Sequence, residues 1–188
     1  MALDRDARKA QLAEAVWRVV RERGIGAVSV RTVAEEAGVV VGSLRHVFPT
    51  RTELVAFSAE LMVSRATERI LATPRTGAPL ADAVALLRHL LPLEPDSRAE
   101  LEVNIALIAE TPALPELRGI RDRAHRELAE MCVLLCESVA GRPRDADLLD
   151  AARRLHALVD GLAVHLLLRE DEGEWAVGVL RGELERLR

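Results

Sequence analysis

The chain has 188 residues, 49% hydrophobic and 30% charged, with a formal net charge of -4. That mixture excludes a disordered chain and a membrane protein, and the length suits one ordinary domain or a small one fused to a larger. An acidic chain is no general nucleic-acid binder, so any contact with nucleic acid must come from a local patch. Tyr is absent and Phe and Trp number two each; a β protein is normally richer in aromatic and β-branched residues. Met1 to Lys9 is charged and lacks the apolar stretch of a signal peptide. Cys132 and Cys136 lie four apart in one helical pattern, a poor arrangement for a disulfide. A cytoplasmic location is expected.

The first helical pattern runs from about Asp4 to Arg23, with Ala13, Val16, Trp17 and Val20 on one face. Asp4 and Asp6 suit its positive end, and Gly24 and Gly26 end it. Ser29 is a good N-cap for a short second helix to Ala37, stopped by Gly38. A third short helix spans about Val40 to Val47. Phe48-Pro49-Thr50 breaks the chain, and Thr50-Arg51-Thr52-Glu53 reads as a capping box for a long helix from Arg51 to about Ala72. Prolines and glycines then set off helices from about Leu80 to Leu91, Asp96 to Glu110, Glu116 to Val139 and Asp145 to Arg169. After a polar break, Glu170 to Gly173, a last helix runs to Leu187. The expectation is an all-α fold of about nine helices.

Two short helices about a glycine turn, buttressed by a longer helix before them, describe a helix-turn-helix. Val33, Ala34, Ala37, Val39 and Leu44 supply its apolar face, and the second short helix presents Val41, Ser43, Arg45 and His46 on its other side. Such a helix enters a major groove with its first residues nearest the bases. Residues 1–56 hold nine Lys or Arg against seven Asp or Glu, and residues 57–188 hold 17 against 23. The basic character sits where the helix-turn-helix is.

The stretch VSVRTVAEEAGVVVGSLRHVFPTRTELV, after a helix ending in RERG, resembles the DNA-binding domain of the TetR family of bacterial transcriptional regulators. The likeness covers about Gln11 to Val55. Arg45 in the LRH segment is similar to the branch that includes choline-responsive betaine-pathway repressors. The resemblance implies a three-helix DNA-binding domain over residues 1–53 and a larger helical ligand-binding and dimerisation domain over residues 54–188. It implies that Ser29 caps and touches phosphate and that Arg31 meets DNA. Ser43 and Arg45 match recognition-helix positions, and His46 follows them. Arg51 matches a phosphate-binding Lys, beside Thr50. Where relatives carry a polar pair, this chain has Val40-Val41, so Val41 offers only apolar contact, such as to a thymine methyl.

Leu148, Ala152, Leu155, Val159, Leu162 and Leu166 recur in steps of four and three on a helix apolar nearly all round. Such a helix must be covered on more than one side. The resemblance implies a homodimer, with Leu155, Leu158, Gly161, Leu162, His165, Leu166, Val177, Leu180 and Leu184 as interface candidates. The alternative is that these residues fill the core of one chain. The intervening helices are expected to enclose a small-molecule effector. Asn104, the one polar residue in its apolar run, needs a hydrogen-bond partner if buried, either an effector or another group of the protein, and Arg65, His89, His125 and Met131 are further effector candidates. His125, Cys132 and Cys136 share one helix stripe, but His125 and Cys132 are two turns apart, about 10 Å, too far for one metal ion. No catalytic motif, metal site or cofactor is implied. The expected partners are double-stranded operator DNA, an effector and a second copy, with no membrane. The expected function is a DNA-binding regulator, a repressor released by its effector. The alternatives are a helical interaction or ligand-binding module without DNA binding, and a helical enzyme.

Overall fold

A computed structural model describes residues 2–169 and 173–188. Among them lie nine α-helices, one 3-10 turn (Ile25–Ala27) and no strand. The helices are α1 (Ala2–Arg23), α2 (Val30–Glu36), α3 (Val41–Val47), α4 (Arg51–Leu71), α5 (Pro79–Arg88), α6 (Pro95–Glu110), α7 (Glu116–Ala140), α8 (Ala146–Leu167) and α9 (Glu174–Glu185). Their ends fall where the sequence punctuates them. Ser29 and Asp145 cap α2 and α8 through their side chains, and Pro79 opens α5. Part of the expected break before α9, residues 170–172, lies outside the described residues, as does the side chain of Asp4.

The chain forms two compact units, and the division falls within α4, α6 and α7. The first unit comprises the chain to Arg65 with Glu102–Asp122. Its core joins Leu12, Val16 and Val19 of α1 to Val33 of α2, Leu44 of α3 and Leu54 and Val55 of α4. Val103, Leu107, Leu117 and Ile120 of α6 and α7 complete it. Polar ties reinforce the packing. The Trp17 indole donates to the Ser58 carbonyl at 3.2 Å. Arg65 lies over the Trp17 ring, 5.2 Å from its centroid, and pairs with Glu14 at 2.6 Å.

The second unit comprises Ala66–Leu101 and Arg123–Arg188. Leu86 and Leu87 of α5, Cys132 and Cys136 of α7, Leu148, Leu155, Leu162 and Leu166 of α8, and Leu180 and Leu184 of α9 share its core. Arg98 donates to the carbonyls of Leu166 and Leu167 at 3.1 and 2.6 Å. Those carbonyls lie in the last turn of α8, where a cation also suits the helix dipole. In the first turn of α5, the Asp82 carboxylate accepts from the Thr76 N–H and hydroxyl at 2.8 and 2.7 Å and from the Gly77 N–H at 3.1 Å. No described helix is long and apolar enough to cross a membrane.

Two outcomes follow. The Thr76 bonds, more than any other cause, hold the Asp82 carboxyl below its ordinary value near 3.8. A depressed carboxyl contributes stability above its unfolded pKa and loses it as pH falls through the folded one. In thermal melts Asp82→Asn is therefore expected to trail the wild type at pH 7, with the gap closing below about pH 4. Burial, above all, pushes the Cys132 thiol up to about 12 and Cys136 to about 11. Neither thiol should react with iodoacetamide in the folded protein at pH 8, and both should react once it is unfolded in guanidinium. Mass spectrometry reads the result.

Candidate nucleic-acid interface

Helices α2 and α3 have seven residues each, too few to persist alone. Capping and packing hold them. The Ser29 hydroxyl accepts from the Thr32 N–H at 3.1 Å, and the Thr32 hydroxyl accepts from the Ser29 N–H at 2.9 Å. Thr32 also donates to the Ala27 carbonyl at 2.7 Å. Gly38, at φ 66°, makes the left-handed turn out of α2. The Val39 N–H then donates back to the Ala34 carbonyl at 2.9 Å, which folds α3 against α2. Leu44 is wholly buried and anchors α3 to the core. Ion pairs hold α1 alongside: Arg18 meets Glu36 at 2.6 Å and Arg21 meets Glu102 at 3.0 Å.

This packing sets the outer surface. Ser43, Arg45 and His46 are exposed on α3, as are Arg31 on α2 and Thr50 before α4. Those five candidates are brought to the outside of one helix-turn-helix. The others sit differently. Ser29 is half-buried, its hydroxyl committed to the capping box. Val41 is half-buried against the core, and Val40 before it is 79% exposed. The exposed apolar side chain at the start of α3 is thus Val40, since α3 begins one residue later than the expected helix and Val40 becomes its cap. Thr50 accepts from the Glu53 N–H at 3.1 Å, as a capping residue does.

Arg51 departs most from expectation. Its guanidinium turns inward, with Nε donating to the Val28 carbonyl at 2.8 Å. Its Nη2 donates to the Ile25 carbonyl at 3.2 Å and to Glu110 Oε1 at 3.0 Å. A matching position cannot reveal this, since the partners lie 23 to 59 residues away. Sequence reasoning also missed Arg8. It donates to the Gln11 side chain at 3.1 Å and reaches to 3.5 Å from the Ser43 hydroxyl on α3. The only signal for it was the charged start of α1.

The effector candidates divide between the two units. In the first unit, Arg65 is engaged by Glu14 and Trp17. Asn104 is exposed, not buried, because α6 turns Val103 and Leu107 inward and leaves Asn104, Ile105 and Ile108 outside. In the second unit, His89 Nε2 lies 2.8 Å from the Thr73 hydroxyl, and burial, with Arg69 and Arg88 nearby, holds its pKa down. Met131 packs against the core. His125 is exposed and its ring lies against that of His156, centroids 4.7 Å apart and planes tilted by 36°. His156 is buried, and its Nε2, 3.6 Å from an Asp160 oxygen, has no hydrogen-bond partner. Among the described residues no three His, Cys, Asp or Glu are placed to hold a metal ion.

The dimer candidates also divide. Leu155, Leu162, Leu166, Leu180 and Leu184 are all buried in their own chain's core. Their side chains fill that core, as the alternative reading describes. Leu158 and Val177 are half-buried, and Gly161 and His165 are exposed. A different stripe faces outward: Ala157, Gly161 and Val164 on α8 and Leu168 at its C-cap, with Trp175, Gly178 and Val179 on α9.

Comparison with known proteins bears on both halves of the chain. Residues 11–56 match the model of bacterial regulatory proteins of the tetR family, and residues 79–188 match that of the BetI-type transcriptional repressor C-terminal domain. The HTH-type transcriptional regulator PksA of Bacillus subtilis (strain 168) is 35% identical over 169 residues, 88% of this chain and 82% of that one. A transcriptional regulator from Rhodococcus sp. Rha1 superposes with a TM-score of 0.83 at 26% identity, covering 95% of each chain. A protein from Saccharomonospora viridis, solved in complex with choline, shares the fold with a TM-score of 0.79 at 22% identity, covering 96% of this chain and 95% of that one. Matched at its helix-turn-helix, across its C-terminal helices and along most of a curated relative, the chain belongs to the TetR family of DNA-binding transcriptional regulators, a class without enzymatic activity.

Proposed function

We propose that the protein is a cytoplasmic repressor that holds a roughly palindromic operator as a homodimer. A small molecule bound among the helices after residue 53 would release it. The observation that carries the DNA half is the exposed set Val40, Ser43, Arg45 and His46, on a helix whose opposite side is locked by buried Leu44. Arg45 supplies donors for a guanine edge and Val40 an apolar contact for a thymine methyl. Arg31 and Thr50 flank them for phosphate.

Fluorescence anisotropy on tiled fragments from around the coding region, over a salt series, tests this reading. Tight binding to one fragment is expected. Arg45→Ala should weaken that binding by roughly 1–3 kcal/mol and relax preference at one base position. Equal weak binding to every fragment, unchanged by the substitution, would overturn it.

The dimer reading rests on the outward stripe of α8 and α9. Ala157, Gly161, Val164 and Leu168 step by four, three and four, a helical seam, and Gly161 and Gly178 would let a second helix approach closely. A two-fold pair of this kind places its recognition helices about 34–36 Å apart, one DNA turn, or a little more. A Cβ at Gly161 meets nothing within 4 Å inside the chain. Gly161→Arg should therefore fold normally yet elute at half the wild-type mass in light-scattering chromatography. A wild-type monomer, or an unaltered dimer in the variant, would remove this interface.

The effector half is supported by the BetI-type match over residues 79–188. The first probe for release of operator DNA is choline, the ligand of the Saccharomonospora viridis protein. Release requires that the effector bind the DNA-free state more tightly than the DNA-bound one.

A further inference from the structure

Only three residues separate the end of α3 from Arg51, which opens α4 beside exposed Thr50. A guanidinium at this place would lie against the backbone of any duplex that α3 enters. Yet three of its five N–H groups are spent inside the protein. Two go to the carbonyls of Ile25 and Val28, which bracket the 3-10 turn before α2, and one to the carboxylate of Glu110, the last residue of α6. The Arg51 and Glu110 side chains are 31% and 19% exposed, so water screens this pair only in part. A phosphate approaching Arg51 would meet the Glu110 charge, and both anions want the same donors.

We propose that Glu110 and the operator phosphate compete for Arg51, so that Glu110 lowers DNA affinity without touching DNA. The two carbonyls and the Glu110 carboxylate together hold the guanidinium, and of the three partners only Glu110 carries a charge that opposes a phosphate. This inference rests on the DNA-binding reading above.

The test is Glu110→Gln in the full chain, measured by anisotropy on the best fragment over a salt series, with Arg51→Ala and the double variant alongside. Glu110→Gln is expected to bind roughly five- to tenfold more tightly near 0.1 M salt. Its plot of log affinity against log salt should steepen by about 0.9, the signature of one added phosphate contact. In the Arg51→Ala background both effects should vanish. A gain that survives in the double variant would mean general relief of negative charge, and it overturns the competition. An unchanged slope in Glu110→Gln overturns it too, leaving Arg51 an internal strut. Thermal melts of each variant show that it is folded, and Arg51→Lys, which keeps the cation, guards against a misfolded Arg51→Ala. Wild-type protein that binds no fragment above background overturns the DNA reading together with this one, whereas a binding wild type isolates the role of Glu110.

Discussion

Seven residues cannot hold a helix together in water, and both helices of the DNA-reading element have only seven. That surface exists only as the outside of a packed body. Leu44 turned into the core, the reciprocal Ser29–Thr32 bonds and the left-handed step at Gly38 are therefore conditions of recognition rather than background to it. Each side chain offered outward from α3 has a neighbour one position away that is buried or half-buried. Leu44 alone separates Ser43 from Arg45.

Arginine does most of the remaining polar joinery. Arg98 satisfies the carbonyls at the end of α8. Arg144 holds Glu130 and Glu137, Arg88 holds Glu174, and Arg65 combines a carboxylate with an aromatic face. A planar fork with five donors can serve two elements at once in fixed directions, whereas an ammonium is a compact point charge with three rotatable donors. Taken singly, exposed pairs of this kind contribute less than about 1 kcal/mol. Their value lies in fixing which helix lies beside which.

Much of this was legible in the sequence. Proline, glycine and capping residues marked the helix ends to within a few positions, because breakers act locally and leave their mark in the chain. The helix-turn-helix was legible for the same reason, its turn and cap chemistry being confined to about 25 residues. Which face of a helix looks where is not local. On α8 the leucine stripe read as an interface serves the chain's own core, and the plainer stripe with Gly161 faces out. Asn104 looked buried because its neighbours are apolar, yet α6 leaves two of those neighbours, Ile105 and Ile108, exposed with it. Arg51 could be placed at its helix end but not aimed, since its aim is set by residues far along the chain.

The burial of Cys132 and Cys136 has a practical side. A protein whose only native thiols are shielded needs no cysteine removed before a label is attached. One cysteine placed at an exposed position such as Glu22 of α1 would carry the accessible thiol of each copy. Spin labels there would measure the distance between the two reading heads of a dimer by pulsed resonance, with and without DNA. The spacing that selects an operator would then be read in solution as a distribution of lengths.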